Sequence, residues 1–369
     1  MGVLRILHIL GSLNRGGIET LLINLYRNVD RNVVQFDFLI HVNEIGDYGQ
    51  EIIEYGGNIF HVKARNKGYF TNSKDLDSFF KKNQGKYSIV HYHCSSMSYI
   101  KPMLKAKKYG VENIILHSHN SRAGGFFIHN YLHKINRVLY RGFTNFNFAC
   151  SDLAGKWMFG NSTYKIIKNG VDLDKFMFDG KVRNEYRKVL GFNEEDIVIG
   201  NVGRFHPQKN HLFLLDVFYE LYNINKNYRL VLVGGGALER EIRDKIEFLD
   251  IGQRVTMLGV RNDVNLLINA FDNMLFPSLY EGLGIVLIEA QANGLPIYAS
   301  ENFIPKEVRI NDNFNFVNLA FDAKVWAKII NKKKSERIDV NQTYESSFLK
   351  EYDINKVALD LQNFYLSLT

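Results

Sequence analysis

The chain has few cysteines, few prolines and no long apolar run. Its 369 residues include two cysteines, Cys94 and Cys150, which cannot build a disulfide framework or a cysteine-based zinc site. Five prolines against 29 glycines indicate that glycine marks local turns and not a low-complexity linker. No apolar segment approaches the roughly 18 residues of a transmembrane helix. The N-terminal run Leu4–Leu10 lacks a small-residue cleavage site, so we expect a buried first strand and a cytoplasmic protein.

Positive charge is concentrated in the first half of the chain. Residues 1–170 hold 22 Lys and Arg against 11 Asp and Glu, whereas the remainder holds 24 against 28. A basic half attracts nucleic acid, an anionic membrane surface or phosphorylated small molecules, although a solvated lysine-rich surface gives the same count. No nucleic-acid-binding motif is present, and aromatics are not interleaved with the basic residues on one strand. We therefore expect no nucleic-acid partner.

Short apolar strands alternate with helical stretches in both halves. This alternation implies parallel sheets covered on both faces, and the length suggests roughly two domains of about 150 residues. We therefore predict an α/β protein with two doubly wound, Rossmann-like domains. The predicted strands are Leu4–Ile9, Phe36–His41, Asn58–Val62, Ser88–His93, Asn113–His117, Phe146–Cys150, Ile197–Val202, Arg229–Val233, Arg254–Met257, Asn273–Phe276 and Pro296–Ala299, and the predicted helices include Ile18–Val29, Tyr99–Tyr109, Lys181–Leu190 and Tyr352–Leu368.

The rhythm of strands restarts after a charged helix that follows Asn169-Gly170. This break predicts residues 1–170 as an N-terminal domain and 171–195 as a linker with its connecting helix. Residues 196–345 are predicted as the second domain. Residues 346–369 are predicted as a C-terminal helix that packs back on the first domain.

Loops after strands are the expected ligand sites, because ligands of open parallel sheets bind beyond the carboxyl ends of the strands. The first loop, Gly11–Gly17, ends in paired glycines before a helix, where backbone N–H groups favour an anion. It is neither a G-x-G-x-x-G fingerprint nor a P-loop, and a tight turn that binds nothing explains it equally well. The second loop, Gly203–Asn210, carries Arg204 and Lys209, which can converge on a diphosphate. The third, Gly234–Gly236, is interpreted as a turn that shapes a nucleotide pocket.

The most specific pattern is Tyr280–Glu289, in which two glutamates enclose Gly-Leu-Gly and an aliphatic run. If a helix begins near Gly284, Glu281 lies in the loop before it and Glu289 faces inward. The backbone N–H groups of Leu283 and Gly284 would then meet an anion, and the carboxylates would accept hydrogen bonds from sugar or ribose hydroxyls. The alternative, a loop glutamate and a solvated helix glutamate, is weakened by how apolar this stretch is.

These patterns occur together in a defined order. The motifs are Gly16–Glu19, Asn169–Asp172, Gly203–Asn210 and the pair Glu281 and Glu289. The ordered set resembles the retaining, family-4 glycosyltransferases of GT-B fold, in which two Rossmann-like domains face each other across a cleft. His117–Asn120, Glu289–Pro296 and Ile304–Val308 resemble the exopolysaccharide and capsule (EpsF-like) branch of that family. The resemblance spans essentially the whole chain.

The resemblance implies roles for the residues that match. Gly16 and Gly17 match the loop of the acceptor-side domain that approaches the donor diphosphate, and Arg204 and Lys209 match the pair that holds it. Val260 matches the position whose backbone reads the nucleobase. The second domain is thereby expected to bind the nucleotide-sugar donor.

Three further side chains match residues near the transferred sugar. Glu289 matches the residue that binds the ribose hydroxyls, and Glu281 the one that binds the sugar itself. His119 matches the histidine that contacts the donor sugar near the reacting carbon. The chain departs from the family where Glu301–Phe303 replaces the usual Gly-Gly pair, so donor preference does not transfer from better-known relatives. The implied catalytic set is His119, Arg204, Lys209 and Glu281.

Two Asp-x-Asp sequences carry the pattern that metal-dependent transferases use. Asp75-Leu76-Asp77 opens a predicted helix, and Asp172-Leu173-Asp174 belongs to the linker motif, so we expect neither to bind a metal. Four histidines alternate on two predicted strands without an evident third acidic or cysteine ligand. They are His91, His93, His117 and His119. We therefore expect no metal and no cofactor, with His119 as the functional histidine.

The stretch Gly124–Phe143 mixes aromatic and aliphatic residues with Lys134, Arg137 and Arg141. A basic amphipathic helix of this kind lies on anionic membrane surfaces. An ordinary helix that covers the N-terminal sheet gives the same pattern, so both interpretations stay open.

The predicted function is a metal-independent glycosyltransferase of the hexosyltransferase class. It is expected to move a sugar from a nucleotide sugar, a UDP-sugar in our expectation, to a growing lipid-linked saccharide in cell-surface polysaccharide synthesis. Its expected location is the cytoplasm, with peripheral contact to the inner face of the membrane. A nucleotide-sugar epimerase of the same fold and a non-catalytic protein that binds nucleotides or anions are the alternatives.

Overall fold

A computed structural model of the chain describes residues 2–64, 68–122, 127–333, 336–340 and 348–369. The chain divides into two compact units. Unit 1 comprises Met1–Val171 and Glu351–Thr369, and unit 2 comprises Asp172–Lys350. The domain boundary predicted between residues 345 and 346 lies outside the described residues.

Unit 1 is built on a parallel sheet of seven strands in the order β3-β2-β1-β4-β5-β6-β7. The strands are β1 Leu4–Leu10, β2 Val34–Ile40, β3 Ile59–His61, β4 Ile89–Cys94, β5 Asn113–Ser118, β6 Phe146–Ala149 and β7 Lys165–Ile166. The helices are α1 Gly17–Asn28, α2 Gly49–Glu54, α3 Tyr69–Lys82, α4 Lys101–Lys108, α5 Phe127–Leu139, α6 Asp152–Phe159 and the C-terminal α14 Ile354–Leu366.

Unit 2 is built on a parallel sheet of six strands in the order β10-β9-β8-β11-β12-β13. The strands are β8 Ile197–Val202, β9 Tyr228–Val233, β10 Val255–Met257, β11 Asn273–Phe276, β12 Ile297–Ser300 and β13 Phe314–Val317. The helices are α7 Leu173–Phe176, α8 Gly180–Val189, α9 His211–Ile224, α10 Glu239–Phe248, α11 Val264–Leu267, α12 Ile285–Ala292 and α13 Ala323–Lys332.

The strand order reverses once in each sheet, between β1 and β4 in unit 1 and between β8 and β11 in unit 2. At such a reversal the loops leave neighbouring strands in opposite directions and open a crevice at their carboxyl ends. The reversal therefore marks where each unit can take a ligand.

The predicted fold class is confirmed, because both units are parallel, doubly wound α/β sheets. All eleven predicted strands are present, and their ends shift by no more than two residues. Two short strands were not predicted. β7 has two residues and begins with a lysine, and β13 interrupts its apolar run with Asn315. The expectation that Asp75 opens a helix is wrong, since it lies inside α3 and accepts a hydrogen bond from the backbone of Lys63 at 3.0 Å.

The C-terminal helix packs within unit 1. Leu361 and Tyr365 of α14 are buried, and the Tyr365 hydroxyl lies 2.6 Å from Nδ1 of His91 on β4. Its entry is held by backbone hydrogen bonds between Val171 and the residues on either side of Asp353. Within the described part of the chain, every helix is too short or too polar to span a bilayer.

Candidate functional site

The loops that follow β8 and β11 meet at the reversal of strand order in unit 2. The first continues from β8 through a short 3-10 helix, Pro207–Lys209, to the start of α9. Its Gln208 carbonyl accepts a hydrogen bond from the Leu279 backbone at 2.8 Å, and Asn210 donates its side-chain amide to the Pro277 carbonyl at 3.2 Å. The two loops therefore hold each other in place, as expected at a switch point.

A buried ion pair joins the two loops. Lys209 Nζ lies 2.8 Å from Glu281 Oε1, and the glutamate is only 5% exposed. Gln208 donates its side-chain amide to the second carboxylate oxygen at 3.2 Å and to the Tyr280 carbonyl at 2.9 Å. Lys209 Nζ also lies 4.5 Å from the centroid of the Phe276 ring. Because both carboxylate oxygens have a donor, Glu281 is held in one orientation.

The glycine run after β9 lets a third loop approach the loop after β8. Gly234 has φ of +142°, and a Cβ there would lie 2.0 Å from Gly203 O. Gly236 has φ of +155°, and a Cβ there would lie 2.5 Å from Phe205 O. Glycine is therefore required at both positions. Phe205 completes this contact, since its ring is buried and its backbone N–H donates to Gly235 O at 2.9 Å.

The loop after β10 lies against the same glycine run. Gly234 donates its backbone N–H to Gly259 O at 2.8 Å, and a Cβ on Gly235 would lie 3.4 Å from a Val260 methyl group. Val260 is 66% exposed. Arg204, in the loop after β8, is also exposed. The carboxyl edge of this sheet thus displays an exposed cation, Arg204, and an exposed loop residue, Val260.

Helix α12 begins as the sequence predicted, directly after Gly284, which has φ of +83°. Leu283 before it is buried, and Glu289 lies one turn into the helix with a half-buried side chain. Burial raises the pKa of the Glu289 carboxyl to about 7. No donor or cation among the described residues contacts this carboxylate, so it differs from the paired Glu281. A half-buried acceptor without a protein donor is suited to a ligand hydroxyl.

In unit 1, the loop between β1 and α1 ends in two glycines at the N-terminus of α1. Gly16 precedes the helix with an extended backbone, and Gly17 is its first residue. A Cβ on Gly17 would meet no heavy atom of the described residues within 4 Å. The loop is held by a hydrogen bond that Arg15 donates from its backbone N–H to Asp47 Oδ2 at 2.9 Å. The helix N-terminus therefore presents backbone N–H groups of the kind that bind an anion.

Five histidines lie side by side on one face of the unit 1 sheet. The strand register places His8 level with His91 and His93 level with His117, and His119 follows at the end of β5. Four of the rings are buried and that of His119 is half-buried. Burial lowers the pKa of His8 and of His119 to about 3, and the pKa values of the other three lie well below the usual range for histidine. All five rings are therefore neutral at physiological pH.

Neighbouring strands supply the third histidine that the sequence alone did not show. His8, His91 and His93 form one group, and His93, His117 and His119 form another, each with ring nitrogens within 4.8 Å of one another. A neutral imidazole has one lone pair, and several of these lone pairs accept hydrogen bonds from neighbouring rings at 2.9–3.2 Å. A cation at either group would have to displace those hydrogen bonds.

The two Asp-x-Asp sequences are engaged in ion pairs. Asp172 Oδ2 lies 2.6 Å from Lys175 Nζ, and Asp77 contacts the side chains of Lys105 and Lys108. Neither sequence contributes to the possible ligand groups found within the described residues, which consist of histidines only.

The structure brings seven of the ten candidate residues to one edge of unit 2. They are Arg204, Lys209, Val260, Glu281, Leu283, Gly284 and Glu289. Gly16, Gly17 and His119 lie at the carboxyl edge of the unit 1 sheet. Sequence reasoning missed Gln208, which orients Glu281, and His8 with Tyr365, which extend the histidine cluster. The usual strand order of doubly wound sheets would have placed His8 beside the β4 histidines.

Comparison with known proteins assigns this architecture to a family. The family described as "Glycosyl transferases group 1" matches residues 182–347. A glycosyltransferase named EpsF, from Bacillus subtilis (strain 168), is 35% identical over 338 residues, which are 88% of this chain and 86% of EpsF. The chain belongs to the group 1 glycosyltransferases.

Two further similarities agree with this assignment. This glycosyltransferase is 28% identical over 312 residues to the Escherichia coli enzyme named UDP-Gal:alpha-D-GlcNAc-diphosphoundecaprenol alpha-1,3-galactosyltransferase, covering 77% of this chain and 79% of that enzyme. The solved structure of Anabaena HepE in complex with UDP and glucose superposes with a TM-score of 0.80 at 18% identity, over 99% of this chain and 100% of HepE. The predicted glycosyltransferase class is confirmed, and neither finding supports the epimerase alternative.

The histidine cluster makes the stability of unit 1 sensitive to acid. The folded state keeps the five rings neutral, whereas the unfolded chain binds protons below a pKa of about 6.5. The free energy of unfolding is therefore expected to fall as the pH drops from about 6.5 toward 3, by up to about 1.4 kcal/mol per pH unit for each histidine. Urea unfolding between about pH 7 and pH 5 measures this slope.

A tryptophan variant confines that measurement to unit 1. The chain has two tryptophans, so Trp326→Phe leaves Trp157 as the reporter of unit 1. In that background His8→Asn should reduce the dependence of the free energy of unfolding on pH by the amount that corresponds to about one proton. His61→Gln, at an exposed ring, should leave it unchanged. An unfolding midpoint that does not change over this pH range would contradict the prediction.

Proposed function

We propose that this glycosyltransferase moves a sugar from a UDP-sugar to a lipid-linked saccharide, with retention of the anomeric configuration and without a divalent cation. The product is a growing cell-surface polysaccharide of the capsule or exopolysaccharide type. The observation that carries the proposal is the edge of unit 2, where loops at one switch point present Arg204 and the Lys209–Glu281 pair, and the first turns of α12 present Glu289. The name of the Escherichia coli relative supports the donor class and the lipid-diphosphate acceptor.

Each charged group at this edge has a proposed role. Arg204 and Lys209 hold the donor diphosphate, and the Glu289 carboxylate accepts hydrogen bonds from the ribose hydroxyls. Glu281, oriented by its ion pair, accepts hydrogen bonds from the transferred sugar. Leu283 and Gly284 offer backbone N–H groups to the diphosphate, and the backbone at Val260 contacts the nucleobase. In unit 1, Gly16 and Gly17 approach the diphosphate, and His119 contacts the donor sugar.

The proposed reaction uses the leaving group as its base. The bond between the anomeric carbon and the diphosphate oxygen breaks, and the acceptor hydroxyl attacks the same face of the sugar. Its proton passes to the departing phosphate oxygen, so no protein nucleophile is needed. Negative charge grows on the diphosphate as the bond breaks, and fixed cations and N–H groups stabilise it.

Labelled UDP-sugars incubated with a lipid-linked acceptor extract test the proposal directly. Label is expected in the lipid fraction only when the acceptor is present, and excess EDTA should leave the rate unchanged. Formation of a new free or nucleotide-linked sugar without acceptor would indicate the epimerase instead. Loss of activity in EDTA that returns with manganese or magnesium would contradict the metal-independent mechanism.

Arg204 is expected to act mainly on the transition state. Loss of one donor to a developing anion costs on the order of 10²–10³ in turnover, so Arg204→Ala should reduce kcat by about that factor and donor affinity by less. Arg204→Lys should recover only part, because a point charge cannot replace a bidentate fork. The matched control is Arg243→Ala on α10, an exposed arginine that pairs with Glu239, which should keep full activity.

The ion pair makes Lys209→Ala a less direct test of the same site. That change would leave the buried Glu281 without its cation, which destabilises the fold as well as the diphosphate contact.

Turnover near that of the unsubstituted enzyme in Arg204→Ala, with the protein folded and acceptor saturating, would show that this loop takes no part in the reaction.

Substitutions of the two glutamates are expected to affect UDP binding differently. Glu289→Ala should weaken UDP binding about ten- to a hundredfold, because hydrogen bonds to a charged group contribute roughly 1.5–3 kcal/mol. Glu281→Gln should keep UDP affinity and lower turnover, since its proposed partner is the sugar. Titration calorimetry with free UDP distinguishes them. Equal losses of UDP affinity in both variants would contradict this division of roles.

The elevated pKa of Glu289 adds a pH signature to that measurement. The carboxyl is protonated below about pH 7 and ionised above it, so UDP affinity should rise as the pH increases through about 7. Glu289→Gln cannot ionise and should lose that rise. A pH dependence that survives in Glu289→Gln would assign it to another group.

Helix α5 supports the proposed contact with an anionic membrane surface. Two of its polar residues face the protein: His133 Nδ1 accepts from the Met97 backbone at 3.0 Å, and Asn136 donates to the Met97 carbonyl at 2.7 Å. Its apolar residues face outward, with 36–73% of each side chain exposed. These are Ile128, Tyr131, Leu132, Ile135, Val138 and Leu139. A helix that covers a sheet packs its apolar face against the protein, whereas α5 directs its apolar face away from it.

Charge around α5 favours anionic lipid. No Asp or Glu occurs between Glu112 and Asp152, and Lys134 and Arg141 are exposed on or just beyond the helix. An apolar stripe with basic neighbours and no acidic ones fits a bilayer interface that carries negative headgroups. Of the predicted stretch Gly124–Phe143, residues 124–126 lie outside the described residues.

Vesicle binding tests this surface. The full-length protein should sediment with vesicles that contain phosphatidylglycerol, and binding should weaken with added salt and in neutral vesicles. Val138→Asp combined with Tyr131→Asp should reduce binding at least about tenfold. Phe248→Asp on α10 is the matched control, since Phe248 is 85% exposed in unit 2. Equal losses in both variants would indicate that α5 is not the contact.

A further inference from the structure

A chain of hydrogen bonds crosses three strands of unit 1 and ends at His119. His8 Nδ1 lies 3.0 Å from His93 Nε2, and His93 Nδ1 lies 2.9 Å from His119 Nε2. The strand register explains these links, because each one joins a histidine to the residue two positions beyond its register partner. The chain therefore runs diagonally from the middle of the sheet toward the carboxyl edge.

A second chain lies beside the first and does not include His119. The Tyr365 hydroxyl lies 2.6 Å from His91 Nδ1, and His91 Nε2 lies 3.2 Å from His117 Nδ1. Tyr365 and His91 are buried within the same cluster. This second chain serves as an internal comparison, because it also consists of hydrogen bonds between buried side chains but does not reach His119.

Every proton in the first chain must point the same way. A neutral imidazole has one N–H and one lone pair, and His93 uses both of its nitrogens in the chain. If His93 accepts at Nε2 and donates at Nδ1, then His8 donates to it and His119 accepts from it. If the order is reversed, His119 donates and His8 accepts.

The buried end of the chain decides between these two orders. His8 Nε2 is buried and has no hydrogen-bond partner among the described residues. In the reversed order this nitrogen would carry a proton and become a buried N–H without an acceptor, which is rare in folded proteins. In the forward order it carries only a lone pair. The forward order is therefore favoured, and the proton of each ring lies on Nδ1.

We propose that His8 and His93 are positioning residues that fix His119 as a neutral imidazole with its proton on Nδ1. In this state the Nε2 lone pair of His119 is occupied by His93, so His119 is a hydrogen-bond donor and not a base. The functional part of this inference rests on the proposed role of His119 as a contact to the donor sugar. There the Nδ1–H donates to a sugar oxygen, and the acceptor proton does not pass through His119.

The tautomer can be read without substrate in the full-length protein. With nitrogen-15 histidine labelling, long-range proton–nitrogen spectra at neutral pH distinguish a protonated Nδ1 from a protonated Nε2. The signals of the three rings are assigned by their loss in His8→Asn, His93→Gln and His119→Ala. We expect a protonated Nδ1 and an unprotonated Nε2 for His119. A protonated Nε2 on His119 would overturn the proposal, as would a stoichiometric bound metal whose removal shifts the His119 nitrogen signals.

Kinetics test the positioning roles. His93→Phe keeps a ring of similar size but can neither donate nor accept, and kcat should fall about a hundredfold while KM for the UDP-sugar changes little, as for a displaced catalytic group. His93→Gln retains a donor and an acceptor and should recover part of the loss. Tyr365→Phe, which breaks only the second chain, is the matched control and should keep nearly full turnover.

The outcomes separate this inference from the proposed function. If His119→Ala keeps full turnover while the spectra show a protonated Nδ1, the assigned role of His119 in transfer fails and the tautomer stands. If turnover depends on His119 but the spectra show a protonated Nε2, the positioning inference fails and the proposed function stands. An equal loss in His93→Phe, His93→Gln and Tyr365→Phe would indicate a structural role only and overturn it.

Discussion

The carboxyl edge of the unit 2 sheet depends on a backbone contact that admits no side chain. A Cβ at Gly234 would lie 2.0 Å from Gly203 O, and one at Gly236 would lie 2.5 Å from Phe205 O. Because these glycines have no Cβ, the loops after β8 and β9 can touch along their backbones, which fixes Phe205 and the loop that carries Arg204. The same loop then continues to the Lys209–Glu281 pair. The position of Arg204 and Lys209 at this edge therefore depends on a requirement for glycine after the neighbouring strand β9.

The two units bury polar groups by different physical means. In unit 2, Glu281 is buried as an ion because a lysine and an amide satisfy both oxygens. In unit 1, four buried histidines and the half-buried His119 are neutral rings, and much of their hydrogen bonding is to one another. An ion pair presents a fixed charge to a ligand, whereas a neutral chain presents a fixed tautomer without adding charge. Glu289, half-buried and without a donor among the described residues, belongs to neither type.

The sequence was sufficient for the fold class and for the order of the loop motifs, because both depend on local patterns. Apolar strands separated by helices predicted two parallel sheets, and the start of α12 after Gly284 followed from one glycine and an aliphatic run. Contacts between loops were not predictable, since they depend on which strands are neighbours. Gln208 gave no signal of its role, because its partner Glu281 is distant in sequence and approaches only through the pairing of β8 with β11.

Helix α5 shows a different limit of sequence reasoning. Its periodicity predicted an amphipathic helix, but periodicity gives the separation of the two faces and not which of them meets the protein. The decision comes from the surface beneath it, where the Met97 N–H and C=O and the Trp157 carbonyl need partners. His133 and Asn136 supply those partners, and the His133 ring stacks on Trp157 at 4.0 Å. Once the polar face is held inward by these hydrogen bonds, helical geometry leaves the apolar face directed away from the unit.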